Sequence, residues 1–127
     1  MAFTTFDQTV RVLQLEKLRA LEEELDSDIV FYYGEINHSL EKFFRDCIEE
    51  LQNNEMHNDT LSIILNTPGG SAETVEKMVE IVRNHYDYVN FIVPDSAMSA
   101  GTIFCMSGDK IYMDYSSSLG PIDPQVH

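Results

Sequence analysis

The chain has 127 residues, 43% of them hydrophobic, which is enough for one globular domain with a buried core. Its 22 acidic and 8 basic residues give a net charge of −14, which disfavours nucleic acids and anionic membrane surfaces as partners. The N-terminus lacks the basic start and apolar run of a signal peptide, and no apolar run approaches the ~18 residues of a membrane span. We therefore expect a cytoplasmic protein without a membrane segment.

The first predicted element is a helix over residues 9–25. Its apolar stripe consists of Val10, Leu13, Leu18, Leu21 and Leu25. The helix precedes the first predicted strand, so it packs either on the core of its own domain or on a second subunit. The sequence leaves both arrangements open.

Four segments rich in β-branched and aromatic residues predict strands, at residues 28–33, 61–65, 88–93 and 110–113. Helices are predicted between them. Because strands and helices alternate, we expect an α/β domain with a parallel sheet and right-handed crossovers. Residues 116–121, which follow the last strand, predict a turn-rich tail.

The three helices predicted between the strands differ in their sequence signals. Residues 40–51 have an apolar face formed by Leu40, Phe43, Phe44, Cys47, Ile48 and Leu51. The second helix is capped by Ser71, although Thr74 stands where a full capping box needs Glu or Gln. The third is a short buried helix over residues 102–106.

The two cysteines, Cys47 and Cys105, lie far apart in apolar surroundings. Their separation is not that of a metal-binding pair, so we expect buried free thiols in a reducing compartment. The chain also lacks the P-loop and the dinucleotide-binding glycine pattern. We expect no metal and no cofactor.

Ser99 lies among small residues in the stretch 94–102 (PDSAMSAGT), directly after the third strand. At a strand-to-helix turn its hydroxyl would be exposed and the N–H groups after it unpaired, which is the geometry that a serine nucleophile needs. Serine is also a preferred helix N-cap. From this stretch alone, the capping interpretation is the commoner one.

A second loop, residues 66–70 (NTPGG), follows the second strand about 30 residues earlier, the length of one βαβ unit. If the two strands are parallel neighbours, both loops lie at the carboxyl edge of the sheet, where open α/β folds bind ligands. A backbone N–H of Gly69 or Gly70 and the N–H of Ala100 would then form an oxyanion hole beside Ser99. An ordinary Pro-Gly turn is the alternative, but the two loops together favour the nucleophile.

Residues 67–70 (TPGG) and 97–101 (AMSAG) resemble the Clp-fold serine proteases, which include ClpP-type and signal-peptide-peptidase-A-type enzymes. Residues 108–114 (GDKIYMD) and 119–125 (LGPIDPQ) are most similar to the serine dehydrogenase proteinase (SDH) branch. The resemblance extends from Leu15 to the C-terminus. It implies a single domain with a ClpP/crotonase-like spiral fold, in which helices flank a mainly parallel sheet.

The same resemblance implies a serine peptidase that hydrolyses peptide bonds through an acyl-enzyme on Ser99, with peptide or unfolded protein as substrate and a homo-oligomer as the assembly. A serine nucleophile needs a base. The SDH branch is described as having the order Ser, Asp, His, which Asp123 and His127 match. Lys110 would serve as the base only if its strand turned it toward Ser99. Family members continue beyond this point, so the resemblance leaves open that the chain is truncated and lacks its base.

Two other functions remain as alternatives. One is a non-catalytic Clp-fold module that assembles or binds peptides. The other is a crotonase-like acyl-CoA enzyme, whose oxyanion hole polarises a thioester without a serine. The sequence offers no basic patch for the phosphates of CoA, which disfavours the second.

Overall fold

The computed structural model describes residues 20, 22–53, 57–113 and 117–120. In chain order the elements are β1 (Asp28–Tyr33), α1 (Glu41–Gln52), β2 (Thr60–Asn66), α2 (Ala72–His85), β3 (Tyr88–Val93), β4 (Ser96–Ala97), α3 (Ala100–Met106), β5 (Lys110–Met113) and β6 (Ser118–Leu119). A 3-10 turn, His38–Leu40, precedes α1.

The main sheet has four strands in the order β1-β2-β3-β5, and each neighbouring pair is parallel. The predicted α/β fold with a parallel sheet is therefore confirmed. Three predicted strands match the observed bounds, and β2 is one residue longer at each end than predicted. Because all four strands run the same way, the loops after β2 and β3 leave the sheet at the same edge.

A second, two-stranded parallel sheet pairs β4 with β6. The sequence predicted a turn-rich tail in place of β6. Two-residue strands carry no periodic pattern, so they leave no signal in the sequence. This small sheet attaches the tail to the segment that leads to Ser99.

The core lies between one face of the main sheet and the helices. The ring of Phe104 from α3 packs edge-on against Phe91 of β3, with centroids 4.8 Å apart, and against Phe44 of α1 at 6.3 Å. Burial of a phenylalanine side chain contributes roughly 1.5–3 kcal/mol. Phe104 therefore anchors on the core the short helix that begins just after Ser99.

The predicted inner face of α1 needs correction. Leu40 and Phe43 are 39% and 68% exposed, whereas Phe44 and Ile48 are buried. Leu40 lies in the 3-10 turn, whose three-residue period rotates it away from the stripe of the α-helix. Glu41 is buried instead, and its carboxylate contacts His38 at 3.0 Å and Lys77 at 3.9 Å.

Both cysteines are free thiols, as predicted, with Cys105 buried and Cys47 half-buried. Burial raises the pKa of the Cys105 thiol to about 12. Burial, together with the carboxylates of Glu50 and Asp46, also raises the pKa of Cys47. Both shifts disfavour the thiolate, which is the nucleophilic form of cysteine.

Most of the helix predicted over residues 9–25 lies outside the described residues. Residues 20 and 22–25 are helical, which agrees with its C-terminal end. Where the helix packs stays a prediction. Within the described part of the chain, no helix combines the length and the apolar character needed to cross a membrane.

Candidate active site

The loops after β2 and β3 pair with each other beyond the edge of the main sheet. The N–H of Thr67 donates to the carbonyl of Ser96 at 3.0 Å, and the N–H of Met98 donates to the carbonyl of Thr67 at 3.1 Å. These two bonds form one more parallel bridge beyond the ends of the strands, between Thr67 and Ala97. The loops therefore lie side by side, as their position after parallel neighbours predicted.

Gly69 lies directly against the Ser99 turn. A Cβ atom at Gly69 would be 2.8 Å from the carbonyl oxygen of Met98, 3.1 Å from Cβ of Ser99 and 3.6 Å from the nitrogen of Ala100. Its φ of +110° is also one that side chains disfavour. Glycine is required here because the two backbones touch.

Gly70 pairs with Ile36 in a parallel bridge. The N–H of Ile36 donates to the carbonyl of Gly69 at 2.9 Å, and the N–H of Ser71 donates to the carbonyl of Ile36 at 2.9 Å. In this parallel bridge the N–H of Gly70 points away from Ile36. A Cβ atom at Gly70 would meet the carbonyl oxygen of Ile36 at 1.9 Å, so this position also excludes a side chain.

Three N–H groups around the site differ in their use. The N–H of Gly69 donates to Oγ1 of Thr67 at 3.0 Å. No hydrogen bond within the described residues uses the N–H of Gly70 or that of Ala100. Among the described residues, two backbone donors of these loops are thus unpaired, and the third is already occupied.

Ser99 precedes α3 with φ 52° and ψ −115°, a backbone conformation that residues other than glycine rarely adopt. Such a conformation costs on the order of 1–3 kcal/mol and persists only where the surrounding structure enforces it. The carbonyl of Ser99 accepts the N–H groups of Thr102 at 3.0 Å and Ile103 at 3.3 Å, but its side chain makes no capping hydrogen bond. The side-chain capping interpretation is therefore wrong, and the exposed residue begins the helix through its backbone alone.

The start of α3 is fixed by close packing on Thr67. A Cβ atom at Gly101 would lie 2.4 Å from Cγ2 of Thr67 and 3.4 Å from Cβ of Ala97. One turn into the helix, Oγ1 of Thr102 lies 2.9 Å from the carbonyl oxygens of both Ala97 and Gly120. A side chain at position 101 would push the helix, and with it Ala100, off the neighbouring loop.

The tail also reaches this site. The N–H of Gly120 donates to the carbonyl of Ala97 at 2.9 Å, and a Cβ atom at Gly120 would lie 2.2 Å from Sδ of Met98. Gly120 is thus packed against the residue that precedes Ser99. Asp123 and His127 follow it in sequence and lie outside the described residues.

The three histidines among the described residues have contacts away from Ser99. Nδ1 of His38 contacts Glu41, Nδ1 of His57 lies 3.5 Å from the carbonyl oxygen of Asn58, and Nδ1 of His85 lies 2.7 Å from that of Ile81. Lys110 begins β5 opposite Asn90, three residues before the carboxyl end of β3. In the described part of the chain, no side chain hydrogen-bonds to the hydroxyl of Ser99.

Sequence reasoning identified Ser99, Ala100 and the two glycines of the first loop, but not Thr67. A threonine before Pro-Gly-Gly gives no sign that its hydroxyl accepts a glycine N–H. Among the described residues, no group of three or more His, Cys, Asp or Glu side chains could hold a metal ion. The candidate site therefore consists of an exposed hydroxyl, two N–H groups that no described residue pairs with, and the residues around them.

Comparisons with known proteins identify the family. Residues 30–127 match the family described as ClpP-like SDH-type serine proteinase. Two uncharacterized proteins of Methanocaldococcus jannaschii are 38% and 35% identical over 66 residues, which are 52% of this chain and 23% of each of those proteins.

Solved structures of proteases share the fold. A mutant of the 1510-N membrane-bound stomatin-specific protease, in complex with a substrate peptide, is 26% identical with a TM-score of 0.66, covering 77% of this chain and 45% of that one. A ClpP1 mutant from Listeria monocytogenes is 25% identical with a TM-score of 0.56, covering 69% and 51%. The ClpP catalytic domain of Plasmodium falciparum, 16% identical with a TM-score of 0.61, covers 90% and 64% and shows the fold alone. This chain thus spans 23% of the archaeal relatives and about half of the first two protease chains.

Proposed function

The chain belongs to the ClpP-like SDH-type serine proteinases, and on that premise we propose that it hydrolyses peptide bonds through an acyl-enzyme formed on Ser99. The observation that carries the proposal is the geometry of Ser99 itself. Its backbone is strained, it is exposed, and its hydroxyl does not cap the helix that it begins. Strain at a strand-to-helix turn is typical of a nucleophile held out for attack.

The oxyanion hole in this proposal consists of the N–H groups of Gly70 and Ala100. Both are unpaired in the described residues, and both lie on the loops that meet at Ser99. Of the two glycines, Gly70 is favoured as the donor because the N–H of Gly69 already donates to Thr67. Each such donor is worth about 2.7–4 kcal/mol of transition-state stabilisation.

In the reaction, Oγ of Ser99 attacks the carbonyl carbon of the scissile peptide bond and its proton passes to the base. The carbonyl oxygen becomes negative and accepts the two N–H groups. The C–N bond then breaks, and the amine leaves with the proton from the base. Water hydrolyses the resulting ester, the carboxylic acid leaves, and a proton returns to Oγ.

Asp123 and His127 are the proposed partners of Ser99. The position of Gly120 supports this, because it packs against Met98 and therefore starts the last segment of the chain beside the nucleophile. Three extended residues span at most about 11 Å, which limits the distance from Gly120 to Asp123. The residue order also matches the one implied by the resemblance to the SDH branch.

A fluorophosphonate probe tests the nucleophile, because it bonds to an activated serine Oγ and releases fluoride. We expect the full chain to be labelled and Ser99→Ala to lose all labelling. Ser107→Ala is the matched control, since Ser107 lies at the opposite end of α3 and hydrogen-bonds only to the carbonyl of Phe104 through its hydroxyl. No labelling of the folded full chain would refute the proposal.

The base is tested by Asp123→Asn and His127→Gln in the same assay. Each substitution keeps the approximate shape of the side chain while removing its role in proton transfer. We expect the labelling rate to fall at least 100-fold in both variants, the scale of general-base catalysis. A variant that labels at the wild-type rate removes that residue from the mechanism.

Peptides or unfolded proteins are the proposed substrates, and a homo-oligomer is the proposed assembly. The 1510-N protease was solved with a substrate peptide, which supports the substrate class. Cleavage of an unfolded protein such as reduced casein, followed by mass spectrometry, tests the first point. Sedimentation velocity of the full chain tests the second, and a monomer at micromolar concentration would contradict it.

A non-catalytic peptide-binding module is the second candidate. It is favoured by one observation, that no described side chain hydrogen-bonds to the hydroxyl of Ser99. In that case Ser99→Ala would bind peptides as tightly as the wild-type chain, and neither protein would react with the probe. Labelling of the wild-type chain excludes this candidate.

A further inference from the structure

Thr67 lies between the two loops of the candidate site, and only 1% of its surface is exposed. We propose that Thr67 is a positioning residue, whose hydroxyl holds the N–H of Gly69 so that the N–H of Gly70 faces the oxyanion. This inference rests on the proposed peptidase function. It assigns the side chain that fixes the direction of one oxyanion donor.

The peptide bond between Gly69 and Gly70 sets the direction of the Gly70 N–H. A trans peptide is planar, and its C=O and N–H point in opposite directions. The carbonyl of Gly69 accepts the N–H of Ile36 at 2.9 Å. The N–H of Gly70 is therefore directed away from Ile36, and rotation of this one peptide would turn it out of the site.

Glycine by itself does not prevent such a rotation, because it has no Cβ to restrict φ and ψ. Gly69 is held at both ends instead. Its carbonyl binds Ile36, and its N–H donates to Oγ1 of Thr67 at 3.0 Å. The hydroxyl of Thr67 also donates to the carbonyl of Gly69 at 3.4 Å. Among the described residues it thus takes part in two of the three hydrogen bonds that hold Gly69 at φ +110°.

Thr67 also contacts the loop that carries the other donor. Its backbone bonds to Ser96 and Met98, and its Cγ2 atom occupies the space left by the missing side chain of Gly101. Gly101 follows Ala100 directly. One residue therefore sets the position of the Gly70 N–H through its hydroxyl and of the Ala100 N–H through its backbone and methyl group.

Two substitutions separate these contributions. Thr67→Val keeps the shape and the methyl group but leaves the N–H of Gly69 buried without an acceptor. Thr67→Ser keeps the hydroxyl and removes the methyl group. We expect Thr67→Val to lower kcat for peptide hydrolysis about 10- to 100-fold with KM within about twofold, and Thr67→Ser to retain kcat within about threefold.

Thr74→Val is the control for replacing a buried threonine, because Thr74 lies on α2 and is 2% exposed. It should leave kcat at the wild-type value. A Thr67 with only a structural role would lower thermal stability in the Val variant without lowering kcat of the folded fraction. Wild-type kcat in Thr67→Val, or a Ser variant as slow as the Val variant, would overturn the inference.

Amide hydrogen exchange tests the contact independently of activity. The N–H of Gly69 should be protected in the wild-type chain and should exchange at least tenfold faster in Thr67→Val. Rapid exchange of Gly69 in the wild type would overturn the inference even in an active enzyme. An inactive wild-type chain that is also unreactive toward the fluorophosphonate refutes the peptidase function itself, whereas an active chain with a fully active Val variant refutes only the role of Thr67.

Discussion

Two serines occupy corresponding places in this fold and do different things. Ser71 follows β2 and begins α2, and Ser99 follows β3 and begins α3. Ser71 has φ −79° and ψ 120°, and its Oγ accepts the N–H of Thr74 at 3.2 Å. Ser99 has φ 52° and ψ −115°, and its side chain makes no such bond. The same residue at the same kind of turn is a cap in one place and an exposed hydroxyl in the other.

The difference arises from what lies behind each turn. Ser71 has an extended backbone, and its N–H donates to the carbonyl of Ile36. Its side chain then lies over the first turn of α2. Ser99 is confined by Gly69 on one side and, through Met98, by Thr67 on the other. Neighbouring backbone thus determines whether a serine caps a helix, and residue preference alone does not.

The largest expected effect comes from the glycine directly before Ser71. Gly70→Ala places a Cβ atom 1.9 Å from the carbonyl oxygen of Ile36 at φ +148°, so the loop must move. We expect the free energy of unfolding to fall by about 3 kcal/mol or more and peptide hydrolysis to be lost. Urea unfolding and a peptidase assay measure the two effects.

Gly34→Ala is the matched control for that substitution. Gly34 has φ +125°, but a Cβ atom there would meet nothing within 4 Å. Only the backbone strain remains, and we expect a loss of about 1–2 kcal/mol with hydrolysis intact. Equal losses in the two variants would show that φ, and not the contact with Ile36, makes Gly70 necessary.

The sequence predicts those parts of the fold and the site that depend on local patterns, and it does not predict those that depend on contacts between segments. The strands and their parallel order were predictable because β-branched segments and helical periodicities alternate along residues 28–113. The pairing of Ser99 with the Gly69-Gly70 loop followed from chain order and from the resemblance. The bond from Gly69 to Thr67, and the backbone strain at Ser99, depend on contacts between segments and have no local signal. The exposure of Phe43 was missed because a periodic pattern shows an apolar stripe but not how much of its width the core covers.

A smaller effect, of opposite sign, is expected at Ser99. Ser99→Gly removes the Cβ atom that disfavours φ 52° and loses no capping bond, so we expect the free energy of unfolding to rise by about 1 kcal/mol. Hydrolysis should be lost with the hydroxyl. Thermal unfolding compared with Ser99→Ala, which keeps the Cβ atom, isolates the strain, and a Gly variant no more stable than the Ala variant would contradict it.

Ser71→Ala should show the reverse pattern. The substitution leaves the N–H of Thr74 without its acceptor, and the loss of a serine cap lowers the free energy of unfolding by about 1 kcal/mol. Because the hydroxyl of Ser71 is directed to α2, peptide hydrolysis should stay within about twofold of the wild type. A large loss of activity at unchanged stability would mean that Ser71 also acts in the site.

The smallest expected effect concerns Cys105, a cysteine on the helix that Ser99 precedes. Burial raises the pKa of its thiol from 9.0 to about 12, so the folded state favours the protonated form. This contribution to stability is complete below pH 9, where the unfolded thiol is also protonated, and is lost as the pH rises toward 12. At pH 8 we therefore expect a thiol reagent to leave Cys105 unmodified in the native chain while the fluorophosphonate labels Ser99, and to modify Cys105 only in urea. Native modification of Cys105 as rapid as that of the half-buried Cys47 would contradict the protection of Cys105 by burial.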